Sequence, residues 1–259
     1  MVRLTVTFVA VFAAAAVALA DDPVARARRL YNERQFEAAL AAAQQARLVP
    51  AQADGADLVA ARAYLERYRQ SAAAEDLAGA RERLRRIDPQ RFPPRERTEY
   101  IVGLGEALYF DGSFGGAASV FEAVLTSGDL LSRDARERVL DWWATAIDRD
   151  ARVRAETDRP AEYRRVRTRA ENELATHPSS GAAAYWVAAA ARAQGDPRAA
   201  WAAAQAGWVR SPLAGGTALR ADLDRLVLVA VVPDLAKATA QSQDALRMQW
   251  EQFKERWTR

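Results

Sequence analysis

The stretch from residue 100 to residue 125, YIVGLGEALYFDGSFGGAASVFEAVL, constrains the rest of the chain more than any other. Ile101, Leu104 and Leu108 recur three and four residues apart, the spacing that lines one face of an α-helix. Gly105 falls on that face, where a missing side chain lets a neighbouring helix come close. Asp111-Gly112-Ser113 breaks the period: Gly112 is free to take a positive φ, and Ser113 is placed to cap a second helix. That helix continues the stripe through Ala117, Phe121 and Val124. A helical hairpin cannot bury its own apolar face, so it demands neighbours of the same kind.

Composition agrees. Hydrophobic residues make up 50% of the 259, many of them alanines, which suit closely packed helices better than a sheet. The absence of cysteine excludes disulfides, thiolate metal sites and a cysteine nucleophile. Against 37 basic residues stand 34 acidic ones, a mixed and salt-bridged surface, so no nucleic-acid partner is expected.

Further hairpins follow in both directions. Asp22-Pro23 opens the first as N-cap and first-turn proline, and Ala27, Leu30, Phe36, Ala39, Ala43 and Ala46 mark residues 23–50. A looser unit runs through Leu58, Ala61, Tyr64 and Leu65, then Leu77, Ala80, Leu84 and Ile87, with a long turn expected around Gln70 to Glu75. Residues 90–98 read as a connector, because Pro93-Pro94 cannot continue a helix. Residues 134–176 form another pair, broken at Thr157 to Pro160. The unit ending at Pro212 carries Val187, Ala188, Ala191, Gly195, Ala200, Ala204 and Gly207.

The central hairpin resembles a tetratricopeptide repeat (TPR), a 34-residue helix–turn–helix unit. Ile101, Leu104-Gly105, Leu108, Gly112, Ala117, Phe121 and Val124 occupy the family's places, and Asp129 stands where the closing proline falls. Residues 23–50 and 182–212 fit the pattern too, and the lead-in 173–196, ELATHPSSGAAAYWVAAAARAQGD, is similar to TPR-like units of exported bacterial envelope proteins. The resemblance implies an all-α, TPR-like helical-hairpin solenoid over 21–212, a right-handed superhelix closed by C-terminal capping helices. It also implies a concave groove, lined by the first helix of each pair, that receives a peptide or another protein. Carried onto this chain, the groove positions are Arg28, Tyr31 and Asn32; Val102, Glu106, Tyr109 and Phe110; and Tyr185 and Arg192. Since Leu108 already serves the apolar stripe, one of Tyr109 and Phe110 is expected to face away from the core as a binding anchor, unless both pack on an adjoining repeat.

Residues 213–259 depart from the pattern. Leu226 to Val232 is an apolar run expected to be a buried helix ended by Pro233, and Leu246, Trp250, Phe253 and Trp257 share one helical stripe. That stripe covers the last face of the array, or docks a partner and makes a homo-oligomer through 234–257.

Residues 1–20 carry Arg3, an apolar stretch and Ala18-Leu19-Ala20, the pattern of a cleavable signal peptide; an uncleaved anchor is the rival reading. The alanine- and arginine-rich composition points to a bacterial source, so export means the periplasm, with no membrane span left after cleavage.

Chemistry-bearing motifs are scarce. His177 stands alone beside Pro178, a surface or capping residue without partners for a zinc site or a triad. Gly103-x-Gly105 lacks a third glycine, and neither a phosphate-binding loop nor a G-x-S-x-G elbow occurs. Exported lytic transglycosylases pair a helical superhelix with a catalytic Glu-Ser, and this chain has no Glu-Ser. The expectation is a non-enzymatic protein-interaction scaffold without metal or cofactor. An envelope assembly factor acting through its C-terminal helix and a helical glycan-active enzyme are the alternatives.

Overall fold

The computed structural model describes residues 22–127, 130–214 and 216–258, and there the chain is all α: helical hairpins stacked in sequence order. The signal-peptide reading of 1–20, and Asp129 at the closing-proline position, lie outside the described residues. The pairs are α1 (Pro23–Asn32) with α2 (Phe36–Ala46), α3 (Ala53–Ser71) with α4 (Ala74–Arg86), and α5 (Pro94–Phe110) with α6 (Phe114–Thr126). Then come α7 (Arg133–Val153) with α8 (Arg159–Thr176) and α9 (Gly181–Ala193) with α10 (Pro197–Arg210). The C-terminal part holds α11 (Thr217–Leu226), α12 (Val232–Thr239) and α13 (Gln243–Trp257). Each helix packs on the next, and α1 also touches α3, α3 touches α5, α7 touches α9, and α9 touches α11.

The punctuation of the sequence sets the ends of these helices. Asp22 caps α1 through a hydrogen bond from the Val24 amide, and Ser132, Ser180, Asp196 and Ser242 do the same for α7, α9, α10 and α13. Ser113 does not cap α6 with its side chain. There Gly112 takes φ +80°, the Ser113 amide donates to Leu108 O at 2.9 Å, and the backbone closes the turn unaided.

Three boundaries differ from expectation. The α3–α4 turn is only Ala72-Ala73, because Ala72 adopts a left-handed conformation at φ 53° that a non-glycine residue rarely takes. Helix α5 begins at Pro94, inside the expected connector, since a first-turn proline lacks an N–H that would be unpaired anyway. Pro233 does not end the tail helix. The preceding turn, Val227–Val231, widens to a π-helix, which makes room for the ring and shifts the hydrogen bonds past its missing donor.

Helix α5 explains why several hairpins must stack. Its fully buried positions are Thr98, Gly103, Gly105 and Ala107, while its large apolar residues are half-buried on two sides. Leu104 and Phe110 pack with Leu58, Leu65 and Leu84 of α3 and α4. Ile101, Val102, Leu108 and Tyr109 pack toward Phe121, Trp143 and Val166 in the central cluster. A helix apolar on both flanks belongs between neighbours.

A bidentate pair locks α7 to α8: the half-buried Arg136 donates to the buried Glu173 through Nε at 2.6 Å and Nη2 at 2.8 Å. The exposed His177, at the C-cap of α8, sits with Nδ1 3.0 Å from the same carboxylate. Helix α13 caps the array. Leu246 and Trp250 are fully buried, Trp250 meets Trp201 and Trp208 edge-on, and Phe253 stacks on it, while Trp257 stays 49% exposed. Asp224 accepts hydrogen bonds from Trp250 Nε1 at 2.8 Å and Lys254 Nζ at 2.7 Å. Among the described residues no helix is long and apolar enough to cross a membrane.

Candidate binding face

The odd-numbered helices build one face that holds two clefts. The first, about 560 Å³, is lined by Arg28, Tyr31 and Asn32 of α1, Arg62 of α3, Glu96 and Glu99 of α5, and Arg138 of α7. Its charges form a lattice across three helices: Arg28 reaches Glu96 at 2.8 Å and Glu99 at 3.2 Å, and Arg62 reaches Glu99 at 3.1 Å. The Arg62 guanidinium also lies 4.5 Å from the centre of the Tyr31 ring, a cation–π contact. Burial pushes the Tyr31 hydroxyl above its ordinary pKa, partly offset by Arg62.

Two turns beyond Glu99 on the same stripe of α5 stands Glu106. It keeps some accessible surface, yet protein encloses it. Burial pushes its carboxyl up to about 7; Glu66 adds to the rise, while Arg62, Arg69 and Arg138 oppose it. Among the described residues it has no hydrogen-bond or ion-pair partner. Arg69 lies 5.7 Å above the Trp142 ring and brings α3 to α7 beside it.

Tyr109 and Phe110 both pack against neighbours and part company in doing so. Phe110 meets Tyr68 at 5.0 Å on the α3 side. Tyr109 meets Phe114 at 5.5 Å, with the Arg149 guanidinium 5.5 Å from its ring centre, on the α7 side. Both stay half-buried, and the second cleft opens beside Phe114 and Arg149.

This second cleft, about 820 Å³, runs between α7, α9 and α11 and is lined by Asp141, Asp148, Arg149, Arg152, Tyr185, Trp186 and Asp222, among others. Trp186 Nε1 donates to Asp141 Oδ1 at 2.8 Å. The Asp141 carboxyl is raised by burial, with Asp222 and Glu137 adding like charge. Asp148 accepts from the Tyr163 hydroxyl at 2.9 Å and pairs with Arg152 at 2.6 Å. Burial raises the Tyr185 pKa too, and Asp222, Asp141 and Asp148 push the same way.

Of the residues carried over from the repeat pattern, Arg28, Tyr31 and Asn32 meet in the first cleft, Glu106 lies next to its arginines, and Tyr185 lines the second. Arg192 belongs to neither. It pairs with Asp234 of α12 at 2.8 Å, beside Gly195 and Lys237. Helices α3, α7 and α11 supply what the pattern missed: Arg62, Arg69, Arg138, Asp141, Asp148 and Asp222. A signal existed in the sequence, since Arg138, Asp141, Thr145, Asp148 and Arg152 recur at helical spacing along one side of α7. Among the described residues no group of three or more histidine, aspartate or glutamate side chains could hold a metal ion. No protein-family model matches this chain, and no curated protein matches its sequence.

Proposed function

We propose that this chain is an exported, TPR-like scaffold that binds a peptide or protein segment along the face of its odd-numbered helices. The observation that carries the reading is the placement of two clefts on that face, each lined by at least three helices and each combining half-buried aromatic surface (Tyr31 in the first, Phe114 and Tyr185 in the second) with charged side chains. Rings supply contact area at low entropic cost, and the charges supply direction. Export rests on the N-terminal sequence pattern, and the periplasm is the compartment it implies for a bacterial chain.

The test is capture from envelope extract by the parent chain and by Tyr185→Ala and Arg138→Ala variants shown to fold alike. A partner held by the parent and lost by the variants supports the reading. Equal capture by all three places binding elsewhere.

One observation favours a second reading, a glycan-active enzyme. Glu106, enclosed by protein and pushed up to about 7, has the acidity of a general acid at neutral pH. Turnover of isolated cell-wall glycan, abolished by Glu106→Gln, would establish it; no turnover removes it.

A further inference from the structure

We infer that the cleft between α7, α9 and α11 receives a basic side chain, an arginine or lysine, presented by the peptide bound along the odd-helix face. The inference rests on the peptide-binding reading above and names what that peptide must carry.

The charges in the cleft do not cancel where the ligand would sit. Arg152 is spent on Asp148 at 2.6 Å, and Asp148 also takes the Tyr163 hydroxyl. Arg149 lies over the Phe114 ring at 5.3 Å and the Tyr109 ring at 5.5 Å, at the end of the cleft away from α11. What remains toward α11 is Asp141 and Asp222. Asp141 gives one oxygen to Trp186 Nε1, which fixes the carboxylate in place and leaves the other oxygen open. Among the described residues Asp222, exposed on α11, has no ion-pair partner.

The two carboxylates come from different helices and repel one another across the opening. A cation between them relieves that repulsion and donates a charge-assisted hydrogen bond to each carboxylate. The wall is aromatic: Trp186 is 93% buried, and Tyr185 meets it edge-on at 5.5 Å with its hydroxyl among Asp141, Asp148 and Asp222. An aromatic ring beside paired carboxylates recognises a guanidinium or ammonium by charge and by its π-face together. A metal ion is the competing cation, but no convergent set of three ligands exists there among the described residues. With about 820 Å³ the space admits a long side chain along with the backbone that presents it.

The test uses the full chain. A randomised peptide display library is selected on it, and winning sequences are resynthesised with each basic residue changed to glutamine or glutamate. Fluorescence polarisation then compares them on the parent, on an Asp141→Asn/Asp222→Asn double variant, and on an Asp244→Asn control far from the cleft. Asparagine still accepts the Trp186 hydrogen bond, so the double variant keeps its fold, checked by circular dichroism. The expected result is winners that share an arginine or lysine whose loss weakens binding roughly ten- to a hundredfold on parent and control. The double variant should bind basic and glutamine peptides alike. Winners without a basic residue, or an undiminished preference on the double variant, overturn the inference while peptide binding stands. A library that yields no binder above background overturns both.

Discussion

Glu106 ties the stability of this fold to pH in a direction opposite to that of most carboxylates. Its carboxyl moves from an ordinary 4.5 up to about 7 in the folded chain, chiefly through burial. Between those two values the folded chain holds a proton that the unfolded chain has released. Stability is therefore fully present below about pH 4.5 and declines as pH rises through about 7. At about 1.4 kcal/mol per pH unit, the interval sets a ceiling of about 3 kcal/mol on the loss. Glu106→Gln keeps the shape and removes the titration. Parent and variant should unfold together near pH 4, and near pH 8.5 the variant should be the more stable by up to that ceiling, or roughly 5–10 °C in midpoint. Thermal and guanidinium unfolding of both proteins across this range, with a carboxyl titration of the parent by NMR, provides the measurement. Unfolding curves whose separation does not change with pH would refute the argument. So would a Glu106 carboxyl that titrates near 4.5.

Other perturbations test the packing. A Cβ added at Gly105 would lie 2.5 Å from Phe121 Cε1 and 2.8 Å from its Cδ1, and Phe121 is fully buried. Gly105→Ala should therefore lower stability by about 1–2 kcal/mol, the overpacking cost exceeding the helix-propensity gain of about 1 kcal/mol; an unchanged or raised unfolding midpoint would count against the close α5–α6 approach. Trp250→Ala should cost about 3–5 kcal/mol and speed amide exchange in α10 to α13 before α1 to α3, read by peptide-resolved hydrogen exchange. At Glu173 burial opposes ionisation, but hydrogen bonds and charge from Arg136, with His177 and Arg169, hold the carboxyl below its usual range. Its stabilisation is present above the ordinary glutamate value and is lost as pH falls through the lowered one, so Glu173→Gln should cost about 3–5 kcal/mol at neutral pH and much less in acid.

The hairpins were legible because their signals are local. Helical spacing located the Phe121 and Trp143 stripes, and Asp22-Pro23 and Asp196-Pro197 marked helix starts that the structure keeps. What escaped depended on neighbours. Nothing local shows that Ala72 will take a left-handed conformation, or that a widened turn will carry a helix through Pro233. Half of the candidate face was missed for a different reason. The repeat pattern assigns positions only where its motif is kept, so α1, α5 and α9 were read and α3, α7 and α11 were not. The polar periodicity of α7 was visible all the same. That Arg192 lies outside both clefts was not legible, because its partner, Asp234, is 42 residues away on a helix outside the repeat. Ion pairs of that kind are tertiary facts.

The two clefts also differ in what a ligand must displace, and this orders their roles. In the first, Arg28 and Arg62 already hold Glu96 and Glu99, so at those two arginines an incoming carboxylate gains only by breaking pairs that exist. Partly desolvated pairs of this kind return little net free energy when exchanged for similar ones. That end of the face ties α1, α3 and α5 together, and on the proposed reading its excess of arginine should steer an acidic segment. In the second, Asp141 and Asp222 have no cation to give up and repel one another. A basic group there gains an interaction without losing one. Most of the affinity, and most of the sensitivity of dissociation to substitution, should therefore sit between α7 and α11. The α1–α5 end should mainly change the association rate and its dependence on salt.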